Sequence, residues 1–99
     1  MQTIERVTFR LVPGADRAAF LAAARGTDAL VRLQPGFQAR MLTEAPDGTW
    51  TDIVTWASLA DAQTAARVVM AEPAFQPFAA LIDMATADLS HSALVWQAA

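Results

Sequence analysis

The order of hydrophobic patterns along the chain predicts an α+β fold, with strands and helices following one another as β-α-β-β-α-β. Three observations carry that expectation. Short runs such as Thr3 to Val12 and Thr49 to Ser58 bear apolar side chains at every second position, the period of a half-buried strand. Longer stretches starting at Asp16 and Ser58 repeat apolar residues at helical spacing behind a capping side chain. Pro13-Gly14, Pro35-Gly36 and Asp47-Gly48 punctuate the boundaries between them.

The first strand, Thr3 to Val12, puts Val7, Phe9 and Leu11 on one face and Arg6, Thr8 and Arg10 on the other. Asp16 then caps a helix in which Phe20, Ala24, Leu30 and Val31 form an apolar stripe opposite Arg25, Asp28 and Arg32. Gly26 is its weak point and the place for a bend, and the helix stops at Gln34 before Pro35-Gly36. Phe37 to Glu44 is the second strand. Ala45-Pro46-Asp47-Gly48 is a hairpin turn into the third strand, Thr49 to Ser58. Ser58 and Asp61 have capping-box spacing and open a second helix through Leu59, Ala62, Ala66 and Val69 that ends or kinks at Pro73. Pro77 starts a short helix, PFAALID, and Asp88 to Gln97 closes the chain as a fourth strand. This is the ferredoxin-like arrangement, a four-stranded antiparallel sheet with its helices on one face.

Residues 1–99 make a single domain, and a chain this small hides only about two-thirds of its unfolded surface when it folds alone. Yet 55% of its residues are hydrophobic, above the ~45–50% usual for soluble domains. The open sheet face is expected to carry Arg6, Thr8, Arg10, Arg40, Leu42, Ile53, Thr55, Leu94 and Trp96, too apolar a set for free solvation. A homodimer through that face is the expected partner arrangement. The net charge of −3, with no basic stripe, argues against nucleic acid. No apolar run reaches the ~20 residues of a membrane span, and the N-terminus lacks signal-peptide character, so no membrane partner and a cytoplasmic location are expected. Without cysteine there is no disulfide, thiolate metal site or cysteine nucleophile, and a lone histidine cannot build a polyhistidine site. No metal or organic cofactor is implied.

The run QPGF at Gln34 to Phe37, the DG-W-DIV-W hairpin and strand, and the SLADA helix start together resemble the antibiotic biosynthesis monooxygenase-like proteins of the dimeric α+β barrel superfamily. The resemblance spans essentially the whole chain and implies two sheets paired face to face, with a ligand cavity between sheet and helices in each subunit. It also implies cofactor-independent oxygenation or isomerisation. Quinone-forming members use a Trp at the end of the third strand with Asn, Tyr and Arg. Trp56 matches that Trp, while this chain has neither Tyr nor Asn. Haem-degrading members place a ligating His on a helix, whereas His91 falls in the fourth strand. The H-x-x-x-x-W ending, His91 to Trp96, is similar to a bacterial branch for which the family offers no established reaction.

The residues that carry chemistry are few. Alternation puts Asp52 on one face with Trp50, Val54 and Trp56, and a carboxylate there needs a partner, because burying it unpaired would cost several kcal/mol on the order of transfer data. His91 or an arginine is the expected partner, with backbone or water as alternatives. In the catalytic reading His91 moves a proton, Asp52 orients it, and Trp56, Met41, Phe20, Met70 and Phe78 line a pocket for a small apolar or aromatic ligand. The competing reading is a non-catalytic homodimer whose polar residues are structural. Ser58 fits a helix cap better than a nucleophile, since no G-x-S-x-G elbow is present.

Overall fold

A computed structural model describes residues 1–99. The strands are β1 (Thr3–Leu11), β2 (Phe37–Glu44), β3 (Trp50–Trp56) and β4 (Ile82–Ala93). They form one antiparallel sheet in the order β2-β3-β1-β4. Four helices, α1 (Arg17–Gly26), α2 (Asp28–Arg32), α3 (Leu59–Ala71) and α4 (Gln76–Ala79), pack on one face, with a 3₁₀ turn at Pro73–Phe75. The architecture is the ferredoxin-like one. No helix is long and apolar enough to cross a membrane.

The capping signals act as the sequence expects. Asp16 accepts a hydrogen bond from the Ala19 amide at 3.1 Å, and the Ser58 hydroxyl accepts one from the Asp61 amide at 3.1 Å. In the hairpin turn, the Thr49 amide donates to Asp47 at 2.9 Å and holds its carboxyl below the ordinary range. The bend expected at Gly26 is a full break. Thr27 separates α1 from α2, and its hydroxyl donates to the Ala24 carbonyl at 2.7 Å.

Two expectations about the strands are corrected. Strict alternation from Phe37 would put Arg40 and Leu42 on the open face, but the register of β2 against β3 shifts between Phe37 and Ala39. Gln38 is the extra residue of a bulge, and one added residue turns every later side chain to the opposite face. Arg40 and Leu42 therefore face the helices, while Met41 faces away and is 58% exposed. The last strand also runs earlier than expected. Ile82 and Asp83 pair with Leu11 and Arg10 of β1, so the preceding helix ends at Ala79 and β4 ends at Ala93. Leu94 and Trp96 lie beyond it, and Trp96 is 81% exposed. This edge strand is exposed along nearly all its length, which removes the in-out contrast that periodicity reads.

The interior is divided. Trp56, Val54, Val31, Ala62, Ala65 and Val69 form one apolar cluster, and Phe9, Phe20, Trp50, Phe78 and Ile82 form another. Edge-on and stacked rings knit the second, with Phe20 4.8 Å from Trp50 and 5.3 Å from Phe78 between centroids. Both clusters draw on alternate residues of β3, and Asp52 stands between them.

Gly36, which joins α2 to β2, has φ of +86°, and a Cβ there would collide with the Asp61 side chain. Gly26 has no such constraint, and nothing lies within 4 Å of its added Cβ. Urea denaturation is expected to show Gly36→Ala losing more than ~1 kcal/mol and Gly26→Ala unchanged or more stable by up to ~1 kcal/mol. Equal effects at the two glycines would contradict this account of the turn.

Candidate functional site

Asp52 is 8% exposed and lies on the helix side of β3. Its partner is Arg40, which the bulge of β2 turns inward. The guanidinium makes a two-pronged pair, Nε to Oδ1 at 3.1 Å and Nη2 to Oδ2 at 2.8 Å. Nη1 donates to the Thr27 hydroxyl at 2.7 Å, and the plane of charge lies 5.6 Å from the centre of the Phe78 ring. A chain of hydrogen bonds thus runs from Asp52 through Arg40 and Thr27 to the Ala24 carbonyl. The break between α1 and α2 is what presents Thr27 to it. Both oxygens of Asp52 are occupied in a fixed fork geometry.

His91 is elsewhere. It sits opposite Glu5 in the pairing of β1 with β4, and its Nε2 lies 3.1 Å from Glu5 Oε2. The expected orientation of His91 by Asp52 is therefore corrected, because each has a different partner. Glu5 was absent from the sequence-based candidates. The signal was available: Glu5 shares its parity with Val7 and Phe9, so the alternation already assigned to the first strand carries it inward.

These two pairs flank a cavity of about 240 Å³ between the sheet and the helices. Trp56, Met70 and Phe78 line it, together with Glu5, Arg40 and Asp52. Fifteen of its 18 lining residues are hydrophobic, so polar groups in it are few and their placement decides what it can hold. The two remaining pocket candidates are not on this lining. Phe20 is fully buried inside the second apolar cluster, and Met41 is on the other side of the sheet. Met84 and Ala87 of β4 border the cavity where the pairing with β1 is interrupted between Thr8 and Arg10. The indole Nε1 of Trp56 is buried with no hydrogen-bond partner. A wider cleft of about 640 Å³ follows α1 and the β2 edge, but it is open and its Arg17 and Glu44 pair with each other at 3.0 Å. No three His, Asp or Glu side chains converge as a metal ion would need.

No protein-family model matches the chain, and no curated protein matches it. Solved structures do. SnoaB, a cofactor-independent oxygenase from Streptomyces nogalater, matches with a TM-score of 0.72 and 20% identity, covering 97% of this chain and 95% of its own. The chain has the fold of the antibiotic biosynthesis monooxygenase-like proteins. A candidate antibiotic biosynthesis monooxygenase from Bordetella bronchiseptica matches with a TM-score of 0.74 and 17% identity, covering 96% of this chain and 98% of its own. Rv0793 from Mycobacterium tuberculosis matches at 0.69 and 18% identity over 100% of both chains. At these identities the likeness is one of backbone path, and the side chains of the cavity are this protein's own.

Proposed function

We propose that this protein binds a small apolar or aromatic metabolite in the cavity between sheet and helices, and transforms it without a cofactor by oxygenation or isomerisation. The observation that carries the reading is the cavity itself, apolar over most of its wall and bounded by the Arg40–Asp52 pair, whose charges offset each other. Its size suits one or two rings, since a dry cavity of about 150 Å³ holds benzene. SnoaB, of the same fold, works as an oxygenase without a cofactor, which supports the choice of chemistry. A filling substitution on the lining, Ala66→Phe, tests it. Naphthol is expected to quench tryptophan fluorescence in the parent protein, and the variant is expected to bind it at least about tenfold more weakly, a difference of ~1.4 kcal/mol. Equal affinities would contradict the assignment of the cavity as the binding site.

We also infer a homodimer through the open sheet face, in the cytoplasm. A folded monomer of 10.6 kDa exposes about 5,500 Å² by mass scaling, whereas this chain exposes 6062 Å². Met41, which faces away from the helices, is 58% exposed. Burying two open faces removes well over ~1,000 Å², the size of a stable interface. Light scattering at micromolar concentration is expected to return twice the chain mass. A monomer mass would contradict the dimer.

A further inference from the structure

The cavity holds two carboxylates, and their surroundings differ. Asp52 has both oxygens clamped by Arg40. Glu5 is held at Oε2 alone, by His91 Nε2 at 3.1 Å, and no other hydrogen bond reaches it from the chain. Trp56 Nε1 is the one buried side-chain polar atom that lacks a partner. Oε1 of Glu5, which also lacks one, is therefore not sealed away, and the open space beside this mostly buried side chain is the cavity it lines. Of the charged groups around it, Arg40, beyond Val54 on β2 and on the same lining, is tied to Asp52. Arg6 of β1 alternates to the other face, Glu5 lies opposite Val54 on β3, and α3 contributes Ala65, Ala66 and Val69. His91 of β4, beside Glu5, is not on the lining.

We propose that Glu5 is the proton acceptor of the cavity, positioned by His91, and that its substrates are apolar carbonyl compounds with an acidic C–H bond beside the carbonyl. The step is balanced within the pair of reactants. Glu5 Oε1 takes the proton, the electrons of the broken C–H bond form the carbon–carbon double bond of the enolate, and the negative charge moves to the carbonyl oxygen. Return of a proton from Glu5 to either carbon terminus of an extended enolate gives back the ketone or an isomer. No oxidant takes part. The inference rests on the cavity being the binding site.

The experiment is deuterium incorporation into 2-tetralone in heavy water, followed by NMR, with tryptophan quenching as the separate measure of binding. The parent protein is expected to bind the ketone and to accelerate exchange at its α-carbon. Glu5→Gln is expected to keep the fold and the binding but to lose about a hundredfold or more of that acceleration, the usual scale of general-base catalysis. His91 acts only through Glu5, so His91→Ala is expected to lower kcat and leave KM in place. His91→Gln, which still offers an N–H, is expected to retain more of the rate than His91→Ala. Exchange that is not accelerated although the ketone binds, or that is equally fast in Glu5→Gln, would overturn the role of Glu5 while leaving the cavity reading intact. Equal rates in the two His91 variants would overturn the positioning role. Absence of binding would overturn both the inference and the reading beneath it.

Discussion

A carboxylate on the inner face of a strand constrains everything packed around it. Asp52 is tolerated because Arg40 satisfies both its oxygens, and Arg40 is available because the bulge at Gln38 turns it toward the helices. The third nitrogen of the guanidinium needs its own acceptor, and the Thr27 hydroxyl supplies it. That contact places a helix break, a bulge and a central strand residue in fixed relation. Removing one member of such a pair typically costs about 3–5 kcal/mol, because the survivor is left charged with neither water nor partner. The energy lies less in attraction than in the cost of the uncompensated alternative. The pair also forms a polar seam between the cluster around Trp56 and the one around Phe20, which Phe75 bridges.

The same seam gives the cavity its chemical character. With Asp52 and Arg40 tied to each other, neither contributes a free charge to a ligand, and Glu5 is the third polar group on a lining that is otherwise apolar. Two carboxylates on neighbouring strands thus have different capacities, one clamped and one with a free oxygen. Environments that separate similar groups in this way are how one site supports distinct roles. The edge strand adds to this. The interrupted pairing of β4 with β1 brings Met84 and Ala87 to the cavity border, in a place where bulges commonly reshape a binding surface.

Much of the fold was legible because local chemistry and period agreed. Asp16 and Ser58 announced helix starts, Asp47-Gly48 announced a hairpin, and the alternation of Trp50, Asp52, Val54 and Trp56 survives as their common inward face. The need for a partner to Asp52 was also readable, and an arginine was among the expected ones. What the pattern could not reveal was a single inserted residue. Gln38 has no distinctive chemistry, yet it reverses the facing of Arg40, Met41 and Leu42 and so decides which arginine reaches Asp52. The fourth strand was obscured for another reason, since a strand exposed on both sides has no burial contrast to read. Glu5 was missed although its parity with Val7 and Phe9 pointed inward.

The central claim, that the Arg40–Asp52 pair is a coupled unit and not two independent polar residues, is tested most directly by a double-mutant cycle in denaturant. Arg40→Met and Asp52→Leu are each predicted to lose about 3–5 kcal/mol, while the double variant recovers most of that loss. The coupling energy, the sum of the two single losses less the loss of the double variant, is then expected above the ~0.5–3 kcal/mol usual for residues in contact. Losses that simply add, with coupling below ~0.5 kcal/mol, would contradict the account.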